Sequence, residues 1–322
     1  MRHWLGRMAH LVSISSSLSS LLPAVVFVNP AAGGGRSRSS VPRIKEVFEA
    51  AFVPSDFIIT ESIEDLESLA GAAIESGKRL LFALGGDGTF QGLANAAYSS
   101  DVVLGVLPAG AGNDFAAGLH LPEDPVAAAK AILRGQPKCV DLVRARTADG
   151  RVRLYLGGGG LGIDAEAARH ASGAFRRLPG RSRYIASALR ALWGYRPIGV
   201  RVEFPGIDLP SMDAKSLLAA VLNTPTYGAG IRLAPDALLD DGWLDAVLVE
   251  DLSTLQVLAL LPRLLKSGEL RTPRVKRFRV KSVKLTTDRP CLFHGDGEIL
   301  GPTPVHIDVV PQGVRVLVPG GN

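Results

Sequence analysis

The segment Leu84–Thr89 reads Leu-Gly-Gly-Asp-Gly-Thr and contains residue types that bind phosphate. Glycines let the backbone approach a ligand without a Cβ in the way, and free amides at the start of a following helix attract anions. Asp87 can hold a magnesium–phosphate pair or orient a reacting group, and Thr89 offers a hydroxyl. The alternative is a glycine turn in which Asp87 caps the helix. We treat the segment as a candidate phosphate loop.

Two further glycine-bearing loops each follow a strand-like run. Asn29–Gly35 reads Asn-Pro-Ala-Ala-Gly-Gly-Gly, and Leu107–Phe115 reads Leu-Pro-Ala-Gly-Ala-Gly-Asn-Asp-Phe. Neither is a Walker A loop or a G-x-G-x-x-G fingerprint, so each is weak evidence alone. Loops that follow parallel strands meet at one edge of the sheet, where nucleotides bind. The three loops together therefore predict a phosphate cradle.

Two carboxylates lie close together near the C-terminus, at Asp296 and Glu298 in His-Gly-Asp-Gly-Glu. Residues two apart on a strand face the same side, so we expect the two acids to act together. A carboxylate within hydrogen-bond reach of a hydroxyl can accept its proton. The alternative is an ordinary hairpin turn. The sequence does not decide which acid would take the proton.

The glycine loops need a parallel sheet to position them, and residues 22–144 have the pattern of one. Short apolar runs alternate with helical stretches, which is typical of βαβ units. One helix is expected to begin near Pro42 and another near Phe90, while Ser62 should cap a third that Gly77 closes. The other predicted elements are strands Ala24–Val28, Phe57–Thr60, Leu80–Leu84 and Val102–Leu107, and helices Ile63–Glu75 and Asp124–Leu133.

After about residue 144 the pattern changes to short strands separated by turn residues. The predicted strands are Val152–Leu156, Gly199–Phe204, Lys215–Leu222, Trp243–Val249, Phe278–Leu285 and Val305–Val310, with one helix at Arg183–Tyr195. The predicted fold class is α/β plus all-β. An N-terminal α/β nucleotide-binding domain with a parallel sheet is expected at 22–144, and an antiparallel β domain at 145–305. Residues 306–322 are expected to pack back onto the first domain, and residues 1–21 to form an N-terminal extension.

Composition agrees with two folded domains in a reducing compartment. The 322 residues are 47% hydrophobic and 21% charged, which suits about two cores and excludes a disordered chain. Cys139 and Cys291 alone can build neither a zinc framework nor a disulfide scaffold, which favours a cytoplasmic protein. The sequence contains no run of about 18 apolar residues, so no membrane span is predicted. The start of the chain could mimic a signal peptide, but its serines dilute the apolar region, and we favour an extension.

Six motifs in one order resemble those of the bacterial diacylglycerol kinase-like lipid kinases. They are VNPAAGGG, GGDGT, LPAGAGNDFA, LGGGGLGIDAE, YGAGIRLAPDALLDDGWLD and GDGE. The similarity runs from about Val25 to Pro319, nearly the whole chain. This superfamily also includes sphingosine and ceramide kinases. The resemblance implies an α/β nucleotide domain and a β-sandwich domain, with ATP and the active site in the cleft between them.

By position, the resemblance implies nucleotide contacts from the three loops and from the end of the second strand. Two residues depart from the family's usual pattern: Ala111 replaces a Thr, and Gln91 replaces an Asn. The change at Ala111 removes a hydroxyl contact to the nucleotide. The implied contacts are Asn29, Pro30, Ala31, Ala32, Gly33, Thr60, Gly85, Gly86, Asp87, Gly88, Thr89, Phe90, Gln91, Ala111, Asn113 and Asp114.

The resemblance also assigns the two acidic motifs of the second half. Leu238–Trp243 matches a turn that holds a structural magnesium through the carbonyls of Leu238 and Trp243 and the carboxylate of Asp241. Oxygen ligands suit this hard cation, although such a turn also forms without a metal. The segment with Asp296 and Glu298 matches the motif that contains the general base. One acid would deprotonate a lipid hydroxyl, and the other would bind magnesium or position the acceptor.

Basic residues are concentrated in two stretches, although the net charge is only +5. These stretches are Arg263–Arg289 and Arg169–Arg190. An anionic membrane surface attracts each Lys or Arg by about 1 kcal/mol, so the expected partner is a lipid substrate at such a surface. A solvated strand face and a nucleic-acid groove are the alternatives, and the scarcity of aromatic residues among the charges argues against nucleic acid. A homodimer is a further expectation.

The function that these motifs predict is an ATP-dependent lipid kinase. It would transfer the γ-phosphoryl group to a lipid hydroxyl, with diacylglycerol as the first candidate acceptor and Mg²⁺ accompanying the nucleotide. It would be cytoplasmic and peripherally associated with the membrane. The nearest alternative is an NAD kinase-like phosphotransferase, because that related family also carries GGDGT and a β-rich second domain. A nucleotide-sensing protein without turnover is the third interpretation, suggested by the change at Ala111.

Overall fold

The computed structural model describes residues 16–163, 195–228, 230–252 and 272–320, together with 186–187, 190–191, 255–256 and 259–260. The chain divides into two compact units. The first contains the described residues up to Gly110, Leu119–Cys139 and the chain from Val314. The second contains Ala111–Gly118 and the described residues of Val140–Gly313. The domain limits that the sequence suggests stay predictions.

A parallel sheet forms the centre of the first unit. Its strands are β1 (Ala24–Val28), β2 (Ser55–Ile59), β3 (Leu80–Gly85) and β4 (Val103–Pro108), with the end of the long strand β15 (Val305–Val318). The order is β2-β1-β3-β4, and Arg315 and Val316 pair beside β4. All residues of β1, β3 and β4 are buried, which explains their continuous apolar sequences.

Helices connect the strands of the first unit. They are α1 (Ser16–Ser19), α2 (Arg36–Ala50), α3 (Ile63–Glu75), α4 (Asp87–Ala97) and α6 (Pro125–Leu133), with a 3₁₀ turn at Ala32–Gly34. The hydroxyl of Ser62 caps α3, as predicted, and the carboxylate of Asp124 caps α6. The ring of Phe48 on α2 packs edge-on against Phe82 of β3, with centroids 5.0 Å apart. Capping and core packing therefore agree in placing these helices.

Two helices of the first unit begin earlier than the sequence predicts. α2 begins at Arg36 rather than near Pro42, because the amide of Ser39 already bonds to Gly35 O at 3.1 Å. Pro42 lies inside the helix, where it removes one backbone donor. α4 begins at Asp87 rather than near Phe90, because the amides of Thr89 and Phe90 both bond to Gly86 O. The Asp-Gly-Thr sequence is therefore the first turn of a helix.

The second unit is mostly antiparallel, with one short helix. Its elements are α5 (Asp114–Gly118), β5 (Gln136–Arg146), β6 (Val152–Tyr155), β7 (Gly158–Gly162), β8 (Ile198–Glu203), β9 (Met212–Leu222), β10 (Leu244–Glu250), β11 (Val275–Val280), β12 (Ser282–Thr287), β13 (Leu292–Gly295), β14 (Glu298–Pro302) and the first part of β15. The strand order is β14-β13-β7-β9-β8-β12-β15, and β10 pairs with β9 and β11. The predicted fold class, α/β plus all-β, is confirmed.

The central strand β9 is buried on both faces. Ala219 and Val221 belong to one hydrophobic cluster, and Ala220 and Leu222 belong to the other, since alternate residues of a strand point to opposite sides. The prediction of a single strand at Phe278–Leu285 is wrong, because the strand is interrupted at Lys281. The first part, β11, pairs with β10, and the second part, β12, pairs with β8. The predicted helix Arg183–Tyr195 lies largely outside the described residues.

Within the described ranges, no helix has both the length and the apolar character needed to cross a bilayer.

Candidate active site

The first two glycine-bearing loops of the first unit are joined through Asn29. Its side-chain amide donates to Thr89 Oγ1 at 3.2 Å, and its backbone amide donates to Leu84 O at 3.0 Å. Its side-chain oxygen accepts from the amide of Ala31 at 3.1 Å, which fixes the start of the turn. One side chain therefore holds the end of β1 against the first turn of α4.

The loop after β4 is held against the loop after β3. The amides of Ala109 and Gly110 both donate to Gly85 O, at 2.7 and 3.0 Å. The guanidinium of Arg36 donates to Ala109 O at 3.3 Å and to Gly110 O at 2.9 Å. Our sequence reasoning did not select Arg36, although a cation directly after a glycine run beside a phosphate loop is a usable signal. The three loops are thus brought together at one edge of the sheet.

Two glycines are required by the close approach of these loops. Gly33 has φ +60°, and a Cβ at this position would lie 2.1 Å from Ala109 O. A Cβ on Gly85 would lie 2.3 Å from Thr89 Oγ1. Part of the glycine pattern therefore serves the packing of the loops themselves. Another glycine, Gly86, is the N-cap residue of α4, which has no side-chain cap. The alternative in which Asp87 caps this helix is therefore wrong. The first amides of such a helix suit an anion.

Three further predicted nucleotide contacts of the first unit, Thr60, Phe90 and Gln91, are buried. Thr60 is 4% exposed, and both its amide and its hydroxyl donate to Val28 O. Phe90 is 2% exposed. Gln91 is fully buried, and neither atom of its side-chain amide has a hydrogen-bond partner in the described part of the chain. Thr60 is thus satisfied internally, whereas Gln91 is left with unmet hydrogen-bonding capacity.

The last three predicted nucleotide contacts, Ala111, Asn113 and Asp114, belong to the second unit. Asn113 is 9% exposed and has φ +57°, and its carbonyl accepts from Ala117 at 3.0 Å, which closes the first turn of α5. Asp114 Oδ1 accepts from the amide of Gly230 at 2.9 Å. Asp114 therefore fixes the position of a distant loop of its own unit.

Asp296 does not lie on a strand, because Asp296 and Gly297 form the turn between β13 and β14. Its carboxylate points inward and accepts three amides: Leu156 on Oδ2 at 2.6 Å, with Gly157 and Gly158 on Oδ1 at 2.9 and 3.1 Å. Burial of the carboxylate raises the pKa of Asp296 to about 6; the three amide bonds lower it, and the carboxylate of Asp114 raises it. The expectation that the two acids face the same side of one strand is wrong.

Glu298 has a different environment from Asp296. It is the first residue of β14 and is exposed to solvent. Gly295 and Glu298 pair at the end of the hairpin, so the anchored turn at Asp296 holds the backbone of Glu298. Asp296 therefore fixes the hairpin to Leu156–Gly158, whereas the carboxylate of Glu298 is exposed to solvent.

Two buried polar residues behind Asp296 were not predicted from the sequence. Tyr155 is fully buried, donates to Val221 O at 3.0 Å, and has a pKa raised well above its ordinary value by burial and by Asp296. Asn223 is fully buried and donates to the carbonyls of Asp141 and Leu156, both at 3.0 Å, while its side-chain oxygen lacks a partner among the described residues. These bonds fix the backbone that binds Asp296.

The turn at Leu238–Trp243 was expected to hold a structural magnesium, and the expected carboxylate ligand, Asp241, has protein partners. Asp241 Oδ1 accepts from the amide of Trp243 at 2.9 Å, and Oδ2 pairs with the guanidinium of Arg279 at 2.5 Å. Leu238 is 57% exposed. Across the described ranges, no three His, Cys, Asp or Glu side chains are grouped as metal ligands would be. Both oxygens of the expected carboxylate ligand are engaged by protein donors.

Asp141, on β5, contacts this turn and was missed by our sequence reasoning. It is 1% exposed, and its two carboxylate oxygens accept from the amides of Gly242 at 2.7 Å and Gln312 at 2.8 Å. Its own amide donates to Leu239 O at 2.7 Å. The available signal was a single Asp within the apolar run Val140–Val143. A buried carboxylate thus ties the turn to β5 and β15.

The chain is similar to known proteins along nearly its whole length. Residues 23–145 match the model of a diacylglycerol kinase catalytic domain, and residues 159–318 match that of a YegS C-terminal NAD kinase beta sandwich-like domain. A diacylglycerol kinase of Mycobacterium tuberculosis is 30% identical over 263 residues, covering 81% of this chain and 84% of the relative. A "Probable lipid kinase YegS-like" of Stenotrophomonas maltophilia is 29% identical over 273 residues, covering 80% and 84%.

A solved structure has a similar fold. The crystal structure of a diacylglycerol kinase from Bacillus anthracis aligns with a TM-score of 0.68 at 20% identity, covering 92% of this chain and 96% of that one. At this identity the likeness concerns the fold alone.

Proposed function

The chain belongs to the family of diacylglycerol kinase-like lipid kinases, and from that premise we propose that it transfers the γ-phosphoryl group of ATP to a lipid hydroxyl. The observation that carries the proposal is the joining of the three loops of the first unit, through Asn29 to Thr89 and through Ala109 to Gly85. The N-terminus of α4 lies at these joined loops, and the first amides of a helix suit the phosphates of a nucleotide. Diacylglycerol is the first candidate acceptor.

Glu298 is the residue that we propose as general base. A base must be able to come within hydrogen-bond reach of the acceptor hydroxyl. The carboxylate of Asp296 is held by three backbone amides, whereas the side chain of Glu298 is exposed and therefore more accessible. Asp296 is then a positioning residue that acts through the hairpin. The sequence leaves open whether Asp296 or Glu298 accepts the proton, and we propose Glu298.

Magnesium is proposed to accompany the nucleotide. Asp87 begins α4 directly after the glycine loop and is half-buried, so it is the residue that would hold the ion. When bound, magnesium would neutralise charge that develops on the transferred phosphoryl group. Asp87→Asn should accordingly weaken the magnesium-dependent part of nucleotide binding, which distinguishes this residue from a base.

A labelled-ATP assay with a total lipid extract tests the proposed reaction. We expect label in a chloroform-soluble product, and purified diacylglycerol should replace the extract. Label transferred to NAD instead would favour the NAD kinase-like alternative, and ATP binding without transfer to either would favour a nucleotide sensor. Both results would refute the lipid kinase.

Gly86→Val provides a binding control for that assay. Gly86 has φ −109° and ψ −171°, which are extended angles that valine also adopts, so the variant should fold. Its side chain would stand where the phosphates approach the loop, and ATP binding should be lost while the melting temperature stays near that of the wild type. Wild-type affinity for ATP in the folded variant would contradict the phosphate cradle.

We also propose that the second unit binds peripherally to anionic membranes. The electrostatic attraction should be smaller than the number of basic residues suggests, because several of them form ion pairs within the protein. Among the described residues of the basic stretch, Lys276 pairs with Glu250, Arg279 with Asp241, and Lys284 with Glu203. Arg274 and Lys281 are both exposed. The attraction to an anionic surface therefore depends on fewer cations than the number of Lys and Arg residues in the sequence of this stretch. Arg169–Arg183 and Arg263–Arg271 lie outside the described residues.

Vesicle sedimentation tests the membrane proposal. Binding should increase with the anionic lipid fraction and weaken with salt, because exposed charges are screened beyond about 8–10 Å. Arg274→Glu with Lys281→Glu should reduce binding. Arg38→Glu with Arg43→Glu, on exposed positions of α2, is the matched control and should leave it unchanged. Equal sedimentation with neutral and anionic vesicles would contradict the proposal. The absence of a nucleic-acid partner and the homodimer stay predictions.

A further inference from the structure

The turn Asp240-Asp241-Gly242 is stabilised by contacts within the second unit. Gly242 has φ +73°, the left-handed conformation that closes the turn between Leu239 and β10. The carboxylate of Asp241 receives a backbone donor on one oxygen and Arg279 on the other. The side chain of Asp241 is 20% exposed and that of Arg279 is 56% exposed. The carboxylate of Asp241 is thus mostly shielded from solvent, whereas the side chain of Arg279 is largely exposed.

Arg279 reaches the turn from the neighbouring strand. In the antiparallel pair of β10 and β11, Arg279 is opposite Asp245, so its guanidinium extends along the strand to Asp241. It also lies over the ring of Trp243, 5.4 Å from the centroid. Lys281 Nζ lies over the same ring at 4.9 Å. Two positive charges therefore occupy the space beside the carboxylate, and a divalent cation there would be repelled by both.

A carboxylate from β5, that of Asp141, also contacts the turn. Both oxygens of Asp141 accept backbone amides, from Gly242 and Gln312. A metal ion at the turn would have to compete with these amides for the lone pairs of Asp141 and with Arg279 for those of Asp241. Either carboxylate would have to bind it through an oxygen that already accepts a hydrogen bond or an ion pair.

We propose that in this chain the guanidinium of Arg279 takes the place of a divalent cation at the Asp240-Asp241-Gly242 turn, so that the second unit folds without a structural metal. A bidentate-capable guanidinium is well suited to this role because it stays charged and is less strongly hydrated than an ammonium group. The proposal does not depend on the reaction that the protein catalyses. It separates a magnesium requirement for phosphoryl transfer from any magnesium requirement for stability.

Thermal unfolding of the full chain without nucleotide tests this proposal. Each protein is melted in excess EDTA and again in millimolar MgCl₂. The wild type should melt at the same temperature in both. Arg279→Met should melt about 1–4 °C lower in EDTA, because one partly shielded ion pair is lost, and magnesium should raise its melting temperature by binding to the vacated carboxylate. Arg279→Lys keeps the charge and should show little response to magnesium.

Lys284→Met is the matched control, because Lys284 pairs with Glu203 on β8 of the same unit and is similarly exposed. It should not respond to magnesium. A wild-type melting temperature that falls in EDTA and returns with magnesium would overturn the proposal. So would an Arg279→Met protein whose magnesium response equals that of Lys284→Met. If Arg279→Met does not fold, the wild type and Arg279→Lys decide the question: equal melting temperatures in EDTA and in magnesium support the proposal, and a lower one in EDTA overturns it.

Discussion

Replacing Glu298 by Gln is the sharpest test of the proposed chemical step. The side chain is exposed and the substitution keeps its shape, so the free energy of unfolding should change by less than about 0.5 kcal/mol. Loss of a positioned base should lower turnover by about 10²–10⁴-fold, which corresponds to roughly 3–5 kcal/mol of activation free energy. ATP affinity should remain near the wild-type value, since Glu298 makes no contact with the glycine loops in the proposed mechanism.

Asp296→Asn is the partner variant, and its effect should differ in kind. The Asn oxygen can keep the amides of Gly157 and Gly158, but its NH₂ group would face the amide of Leu156, a loss of about 1–3 kcal/mol. The substitution also removes a buried charge. Since the pKa of Asp296 is about 6 against an ordinary 3.8, that relief is worth roughly 3 kcal/mol at neutral pH. The two effects oppose each other near pH 7, so the variant should be about as stable as the wild type or slightly more stable, and turnover should fall less than in Glu298→Gln.

Single-turnover phosphoryl transfer, ATP binding and thermal unfolding should be measured on both variants at neutral pH. We expect a large kinetic defect with normal stability for Glu298→Gln, and a small kinetic defect for Asp296→Asn. The reverse pattern would assign proton transfer to Asp296 and refute the division of roles. Normal turnover in both variants would refute the assignment of the base to this hairpin and make Asp87 the leading candidate.

Three further outcomes are expected. Stability of the wild type should fall as pH rises from about 4 to about 6, because in that window Asp296 is protonated in the folded chain and ionised in the unfolded one; Asp296→Asn should lack this contribution, and parallel pH profiles of the two melting temperatures would contradict it. Gly33→Ala should lower the melting temperature more than Gly34→Ala, since both have positive φ but only Gly33 would place its Cβ against a backbone atom, Ala109 O; equal losses would contradict the close approach. Gly85→Ala should displace Thr89 from Asn29 and weaken ATP binding measured by calorimetry, and unchanged affinity together with unchanged stability would count against the loop geometry.

Several features of the fold follow from the sequence because they depend on neighbours in the chain. Helix α3 has the predicted bounds, since Ser62 supplies a cap and Gly77 allows the chain to leave the last turn. The strands β1, β3 and β4 follow from continuous apolar runs. The order of the motifs identified the family. These signals are local or shared by relatives, so neither kind requires knowledge of distant contacts.

Strand β7 illustrates what local reasoning misses. Its sequence, Gly-Gly-Gly-Leu-Gly, has low strand propensity. The strand forms because large groups cover it: a Cβ on Gly158 would lie 2.7 Å from Leu222 and Tyr227, and one on Gly159 would lie 2.7 Å from His294 O. Its ladder bonds run to β9 and β13. The glycines are therefore required by neighbours that the chain supplies more than 60 residues away.

The roles of the acidic residues were also decided by tertiary structure. Asp296 and Glu298 are two residues apart, and only the packing of Leu156–Gly158 against the turn gives one of them three amide partners and leaves the other exposed. Asp241 was matched to a metal turn by its neighbours in sequence, and the guanidinium that pairs with it, that of Arg279, is 38 positions further along the chain. The sequence determines which carboxylates are present. The stability of each ionised carboxylate depends on which donors the fold brings to its oxygens. Burial removes hydrating water, and only hydrogen bonds or ion pairs offset that loss.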